Sequence, residues 1–185
     1  MVTEMSIGVL EKTEMASLLS LQSANLKSIV SAEEAGLQGF LTFQYSPTMV
    51  EEMMADMPQP IIRSGSDLVG YALAISQEVS LKNPLLAPAV ELTNTLSYRG
   101  NLLSSVPYYI MGQICVAKKY RSLGVFDALY ASHQQLFSST FIYTVTEIAV
   151  NNKRSLAAHK RVGFEIIESY FDGETDWNIV IWDFK

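Results

Sequence analysis

One cysteine in 185 residues, Cys115, excludes an internal disulfide and fits a reducing compartment, so a cytoplasmic protein is the expectation. No apolar run approaches the roughly 18–20 residues that a membrane-crossing helix requires. The opening stretch, Met1 to Lys12, carries Glu4 and Glu11 and has no basic segment ahead of an apolar one, so it does not read as a signal peptide. Basic residues are outnumbered, 13 Lys and Arg against 19 Asp and Glu, for a net charge of −6. That balance argues against nucleic acid or an anionic membrane as partner. Internal repeats, low-complexity tracts and long polar linkers are also missing, which leaves a single domain over residues 1–185.

What is present is the composition of an ordinary globular chain, 49% hydrophobic and 17% charged. The charge is unevenly placed. Between Lys118 and Arg161, the basic residues Lys118, Lys119, Arg121, Lys153, Arg154, Lys160 and Arg161 meet only Asp127 and Glu147. The window carries a net +5, so the rest of the chain carries −11. An acidic protein with one basic segment can bind a compact anion there; a solvated surface cluster is the plainer alternative.

The residue pattern predicts a helix over Glu14 to Ile29 and a second from Ser46-Pro47-Thr48 through Asp56, stopped by Pro58 and Pro60. Ile61 to Arg63 and Leu68 to Ser76 read as strands around a Ser64–Asp67 turn. Residues 77–107 are the least legible, with one helix expected around Ala89 to Ser97. From Tyr108 the order is strand (Tyr108–Ala117), helix (Val125–Phe137), strand (Thr140–Ile148), helix (Asn152–Val162). A hairpin of Phe164–Phe171 with Trp177–Phe184 around Asp172-Gly173 closes the chain. The class is a layered, mixed α/β domain.

Two segments carry chemistry. In Val116 to Phe126 a strand feeds a short loop containing Arg121 and Gly124, and a helix opens immediately after. Free N–H groups of that first turn, with the helix dipole, make an anion site suited to a pyrophosphate. Gly124 lets the backbone approach closely, and Lys118, Lys119 and Arg121 add positive charge; an ordinary tight turn explains the glycine equally well. In Asn152 to Phe164 the spacing sets Asn152, Ser155 and His159 on one helical stripe, with Gly163 as the stop. A capped surface helix, with Asn152 as N-cap, accounts for the same pattern.

Together the segments resemble the GNAT superfamily of N-acetyltransferases. Arg121 and Gly124, with Val116, Tyr120 and Val125 around them, match its acetyl-CoA signature, and Asn152, Ser155, Gly163 and Phe164 match its second, helical signature. The resemblance spans Tyr108 to Phe184 and, more loosely, Leu68 to Ser76 through Val69-Gly70-Tyr71. Two positions depart from it. Phe126 stands where the family prefers Gly or Ala, so its side chain turns into the core or the loop is reshaped. His159 stands where many members carry a tyrosine that protonates the leaving thiolate.

The resemblance implies a mixed, mostly antiparallel central sheet of about seven strands flanked by helices. It implies transfer of an acetyl group from acetyl-CoA to an amine, small molecule or peptide, by direct attack in a ternary complex and without a metal. Cofactor contacts are expected along the strand at Ile114, Cys115 and Val116, and in the loop and helix start at Arg121, Ser122, Leu123, Gly124, Val125 and Phe126. Asn152, Ser155 and His159 complete the set. His159 is the expected acid, Glu147 the expected base, and Gln113 a second candidate for handling the amine proton. Cys115, inside an apolar strand, reads as a small core residue rather than a nucleophile. Met49, Met53 and Met57 form a stripe that fits a helix–core contact or an acceptor-pocket wall. Trp177 and Trp182 make the last strand apolar, consistent with core or with a homodimer contact. The acceptor is not legible, and an acyl-CoA-binding sensor without turnover is the alternative function.

Overall fold

Helices begin where the sequence supplies caps. In the computed structural model, which describes residues 4–185, the chain runs through β1 (Met5–Val9), α1 (Met15–Ser23), α2 (Ala32–Gln38), α3 (Pro47–Asp56), β2 (Pro60–Ser64), β3 (Asp67–Ile75), α4 (Gln77–Lys82) and α5 (Ala87–Thr95). A two-residue hairpin, β4 (Ser97–Tyr98) with β5 (Asn101–Leu102), leads to β6 (Tyr108–Val116), α6 (Val125–Phe137), β7 (Tyr143–Ala149), α7 (Lys153–Val162), β8 (Glu165–Phe171) and β9 (Asp176–Asp183). The side chains of Ser31, Ser46, Ser76 and Asn152 each accept a first-turn N–H, and Pro47 fills the first helical position of α3.

The seven long strands form one sheet in the order β1-β2-β3-β6-β7-β9-β8, antiparallel at every step except β6–β7. Helices flank it. Leu18 of α1 and Val50 and Met53 of α3 pack on Tyr71, Leu73 and Ile75, while Val125 and Leu129 of α6 pack on Val69 and Ala72. β3 is thus buried on both faces, which is why it reads as an unbroken apolar run rather than an alternation. Met49 and Met53 join the first of these clusters and Met57 packs with Ala74 and Tyr109, so the methionine stripe is a core contact.

The step that positions the site is the parallel one. β6 and β7 pair only over Tyr108–Ile110 and Tyr143–Val145, then part. On its other side β6 slips register with β3 between Leu73 and Ala74, leaving Gly112 unpaired. A Cβ at Gly112 would fall 2.6 Å from Ile75 Cδ1 and 2.8 Å from the Tyr45 hydroxyl, so a side chain there would have to displace those two buried side chains.

Several boundaries differ from the expectations for local reasons. α1 ends at Ser23, not Ile29, because Asn25 and Lys27 pair instead with Leu41 through backbone bonds of 2.9 Å each. β7 starts at Tyr143, since the N–H groups of Thr140 and Phe141 still donate to Phe137 at the end of α6. β8 starts one residue late because Phe164 N–H donates to His159 at the end of α7. β1 was not anticipated.

Candidate active site

Where β6 and β7 part, a groove of about 440 Å³ opens between the start of α6, the start of α7 and residues 38–41. Its walls include Ile114, Cys115, Val116, Arg121, Ser122, Gly124, Phe126, Asn152 and Ser155. These are nine of the positions expected to contact a cofactor. Leu123 instead points to solvent and Val125 is buried beneath the loop on Val69 and Leu129.

Three features of the groove fit acetyl-CoA. First, Ala117 N–H donates to Val69 O on β3, so strand alternation pairs Gln113 and Cys115 with β3 and aims the backbone groups of Ile114 and Val116 toward the gap. Second, α6 begins at Gly124, in the left-handed region at φ +81°, with no side-chain cap. The first intrahelical bond is Ala128 N to Gly124 O, which leaves the N–H groups of Val125, Phe126 and Asp127 without helical partners. Third, a Cβ built on Gly124 meets no atom within 4 Å, so the approach to this turn is open.

Arg121 does not present its head to that space. Its Nε donates to Val116 O at 3.1 Å and its Nη2 donates to Asn25 Oδ1, while Nη1 is buried without a hydrogen bond and lies 3.8 Å from Glu34 Oε1. The guanidinium therefore ties the loop to β6 and to the end of α1; the groove wall also carries Arg154 and Arg161, the latter paired with Asp127 at 2.9 Å. Phe126 turns sideways, onto Tyr130 and His159 with centroids 5.1 and 5.2 Å away. Its bulk is absorbed between α6 and α7, and the first turn of α6 keeps its helical course.

A smaller cavity of about 80 Å³ continues the groove toward the β6–β7 fork, sharing Ile114, Asn152 and Ser155 with it. Gly112, Gln113, Glu147, His159 and Trp177 are among its walls. Glu147, on β7, accepts a hydrogen bond from the Tyr170 hydroxyl. Burial pushes its carboxyl above the usual carboxylate range, opposed by that hydrogen bond and reinforced by Asp172. Gln113 is already committed: Nε2 donates to Phe43 O at 2.7 Å, and Oε1 accepts from the Tyr71 hydroxyl at 2.6 Å. Burial pushes the Cys115 thiol up to about 12, so it stays protonated and unreactive.

His159 is 2% exposed, ringed by Phe126, Tyr130 and Phe164. Its Nδ1 lies 2.8 Å from Ser155 O, an acceptor, which places the ring proton on Nδ1. Nε2 is buried without a partner, and burial lowers the ring's pKa to about 4. A neutral ring whose one proton faces a carbonyl is not set up as the expected donor to a thiolate.

Two contributors have no counterpart in the motifs. Residues 39–45 cross the fork as a strap, with Phe40, Leu41 and Phe43 on its cavity walls and Asn152 Nδ2 donating to Phe40 O at 2.9 Å. Tyr170 comes from β8, two strands away from β7. The only signal for either was indirect: hairpin register, which sets Tyr170 opposite Trp177, and the aromatic run at positions 40–45.

The sequence matches no protein-family model and no curated protein. The fold matches solved N-acetyltransferase structures over nearly the whole chain. Against the ribosomal-protein-S18-alanine N-acetyltransferase from Escherichia coli the TM-score is 0.64 at 13% identity, covering 98% of this chain and 94% of that one. Against an acetyltransferase of GNAT family from Streptococcus pneumoniae it is 0.63 at 13% identity, covering 97% and 99%. Against Arabidopsis thaliana Naa50 in complex with the bisubstrate analogue CoA-Ac-MVNAL it is 0.64 at 13% identity, covering 97% and 98%. The fold is that of the GNAT N-acetyltransferases.

Proposed function

We propose that this chain is an acetyl-CoA-dependent N-acetyltransferase of the GNAT superfamily that passes acetyl directly to an amine in a ternary complex. The observation that carries the reading is a continuous path. It runs from the uncapped start of α6, along the outward-facing backbone of Ile114 and Val116, to the half-buried carboxylate of Glu147. Bound acetyl-CoA supplies the activated acetyl group. The first-turn N–H groups of α6 hold the pyrophosphate, and the Ile114–Val116 edge pairs with the pantetheine amides as an added strand would. The Ile114 N–H donates to the thioester carbonyl oxygen, where negative charge grows as the amine attacks. Glu147 takes the proton that an ammonium must lose, directly or through one water, and its raised pKa improves it as a base. Cys115, held as the thiol, supports direct attack over an acyl-enzyme. Because the similar Naa50 structure holds a bisubstrate analogue with a peptide portion, a peptide N-terminus is the first acceptor class to offer, and small amines the second.

The test has two arms. Acetyl-CoA should raise the melting temperature, because a ligand of the folded state stabilises it by mass action. CoA release should then depend on an added amine across a panel of peptide N-termini and small amines. The absence of any thermal shift at millimolar acetyl-CoA would sink the reading. The buried, neutral His159 favours a second one, an acyl-CoA-binding sensor, and a thermal shift without CoA release for any amine would select it.

A further inference from the structure

We propose that Tyr170 is a positioning residue for Glu147: its phenol fixes the aim of the carboxylate and sets the pH at which the site can accept a proton. The inference rests on the reading of Glu147 as the base. Strand register places the pair. Glu147 sits opposite Ile179 and Ala149 opposite Trp177, while Tyr170 on β8 sits opposite the same Trp177. Directly paired residues share a sheet face, so Glu147, Ile179, Trp177 and Tyr170 lie on one side of the β7-β9-β8 ribbon. The Tyr170 ring reaches across β9 and donates its O–H to Glu147 Oε1. Tyr170 is not part of either cavity wall, whereas Glu147 is, so the phenol acts from behind the carboxylate.

The surroundings of Glu147 make that bond matter. From β6 comes neutral Gln113, which lines the same cavity and is already bonded at both ends. From α7 comes His159, kept neutral by burial. From the strap comes Tyr45, fully buried, whose phenol is pushed up by burial and by Glu147 itself. At the β8–β9 turn, Asp172 adds negative charge while its own oxygens accept from Glu174 N–H, Thr175 N–H and Trp177 Nε1. No cation faces Glu147 among these groups, and burial and Asp172 both favour its protonated form. The Tyr170 O–H is the one contact here that favours the anion. Burial and the adjacent carboxylate push the Tyr170 phenol upward, so the shared proton stays on the tyrosine oxygen and the donor direction is fixed.

Tyr170→Phe keeps the ring and removes the O–H. A hydrogen bond to a charged group is lost, so the Glu147 pKa should rise by about 1–2 units. The acid limb of the kcat/KM profile should move upward by the same amount, with activity recovering toward wild type above it, and the CoA Kd should not change. Carboxyl ¹³C NMR titration of Glu147 in the wild type and in Tyr170→Phe reads the shift without any turnover, and thermal melts check that both proteins are folded. A higher midpoint in the variant, with a parallel shift of the acid limb, supports the inference. An unmoved midpoint overturns it, even where Glu147→Gln is inactive and the base reading stands. Full activity of Glu147→Gln at every pH overturns the base reading, and with it the role given to Tyr170.

Discussion

At the scale of single residues, burial decides what the polar groups of this site can do. His159 and Glu147 are both titratable and both border the smaller cavity, yet burial drives each toward its neutral form. For Glu147 that makes a stronger base; for His159 it removes the proton a thiolate would need. A thiol near pKa 8.5 is a fair leaving group, so solvent protonation suffices. His159→Ala should therefore act mainly on stability, costing about 2–4 kcal/mol for the lost buried ring. The kcat of the folded variant at saturating acetyl-CoA should stay within roughly tenfold of wild type. Thermal melts and steady-state rates decide it; a hundredfold fall in kcat with intact stability would return the donor role to the ring. Arg121 teaches a related lesson. Its place in the sequence identified the loop, but the direction of its guanidinium depends on Asn25, 96 residues away, which no local motif encodes.

At the scale of elements, the chain from β6 to α7 was legible because each piece carries its own period and its own punctuation. Gly124 opens α6, Asn152 caps α7 and Gly163 closes it, and β6 shows two-residue alternation. β1 places Met5, Ile7 and Val9 on an exposed face, and five residues on an edge strand are a weak signal. The strap was illegible for a physical reason: it has no repeating pattern, and long-range contacts hold it. Asn152 Nδ2 donates to Phe40 O and Gln113 Nε2 to Phe43 O, and just ahead of the strap Glu34 of α2 pairs with Lys118 at 3.0 Å. Lys118 lies in the basic loop ahead of α6, so under the proposed acetyl-CoA reading Glu34 would compete with the cofactor's pyrophosphate for its charge. Glu34→Gln should tighten CoA binding, but only about two- to fivefold, because Lys118 is 72% exposed and solvent screens the pair. Calorimetry at two salt concentrations checks this, and the gain should shrink at the higher one. Weaker CoA binding in the variant would instead make α2 a support of the cofactor site.

At the scale of the whole molecule, the two histidines make stability depend on pH in one direction. His133 is fully buried between α6 and β3, its Nδ1 accepting from the Tyr109 hydroxyl at 2.8 Å and its Nε2 donating to Ala72 O at 3.1 Å. Burial lowers its pKa to about 4, as it does for His159. The unfolded chain protonates both rings near pH 6.5, while the folded chain resists until about 4. Between those values the unfolded state binds more protons, so stability is full above pH 6.5 and is lost as pH falls. The loss is on the order of 3 kcal/mol for each ring by the bottom of the window. Glu147 works the other way, since its folded pKa is raised and lowering the pH relieves a buried charge. Urea denaturation from pH 7.5 to 4.5 should show the net decline, with its steepest part below 6.5. His133→Gln keeps a donor for Ala72 O and removes one titrating ring, so it should be less stable at pH 7.5 and decline about half as steeply. A variant as steep as wild type would mean that the slope arises from groups other than His133.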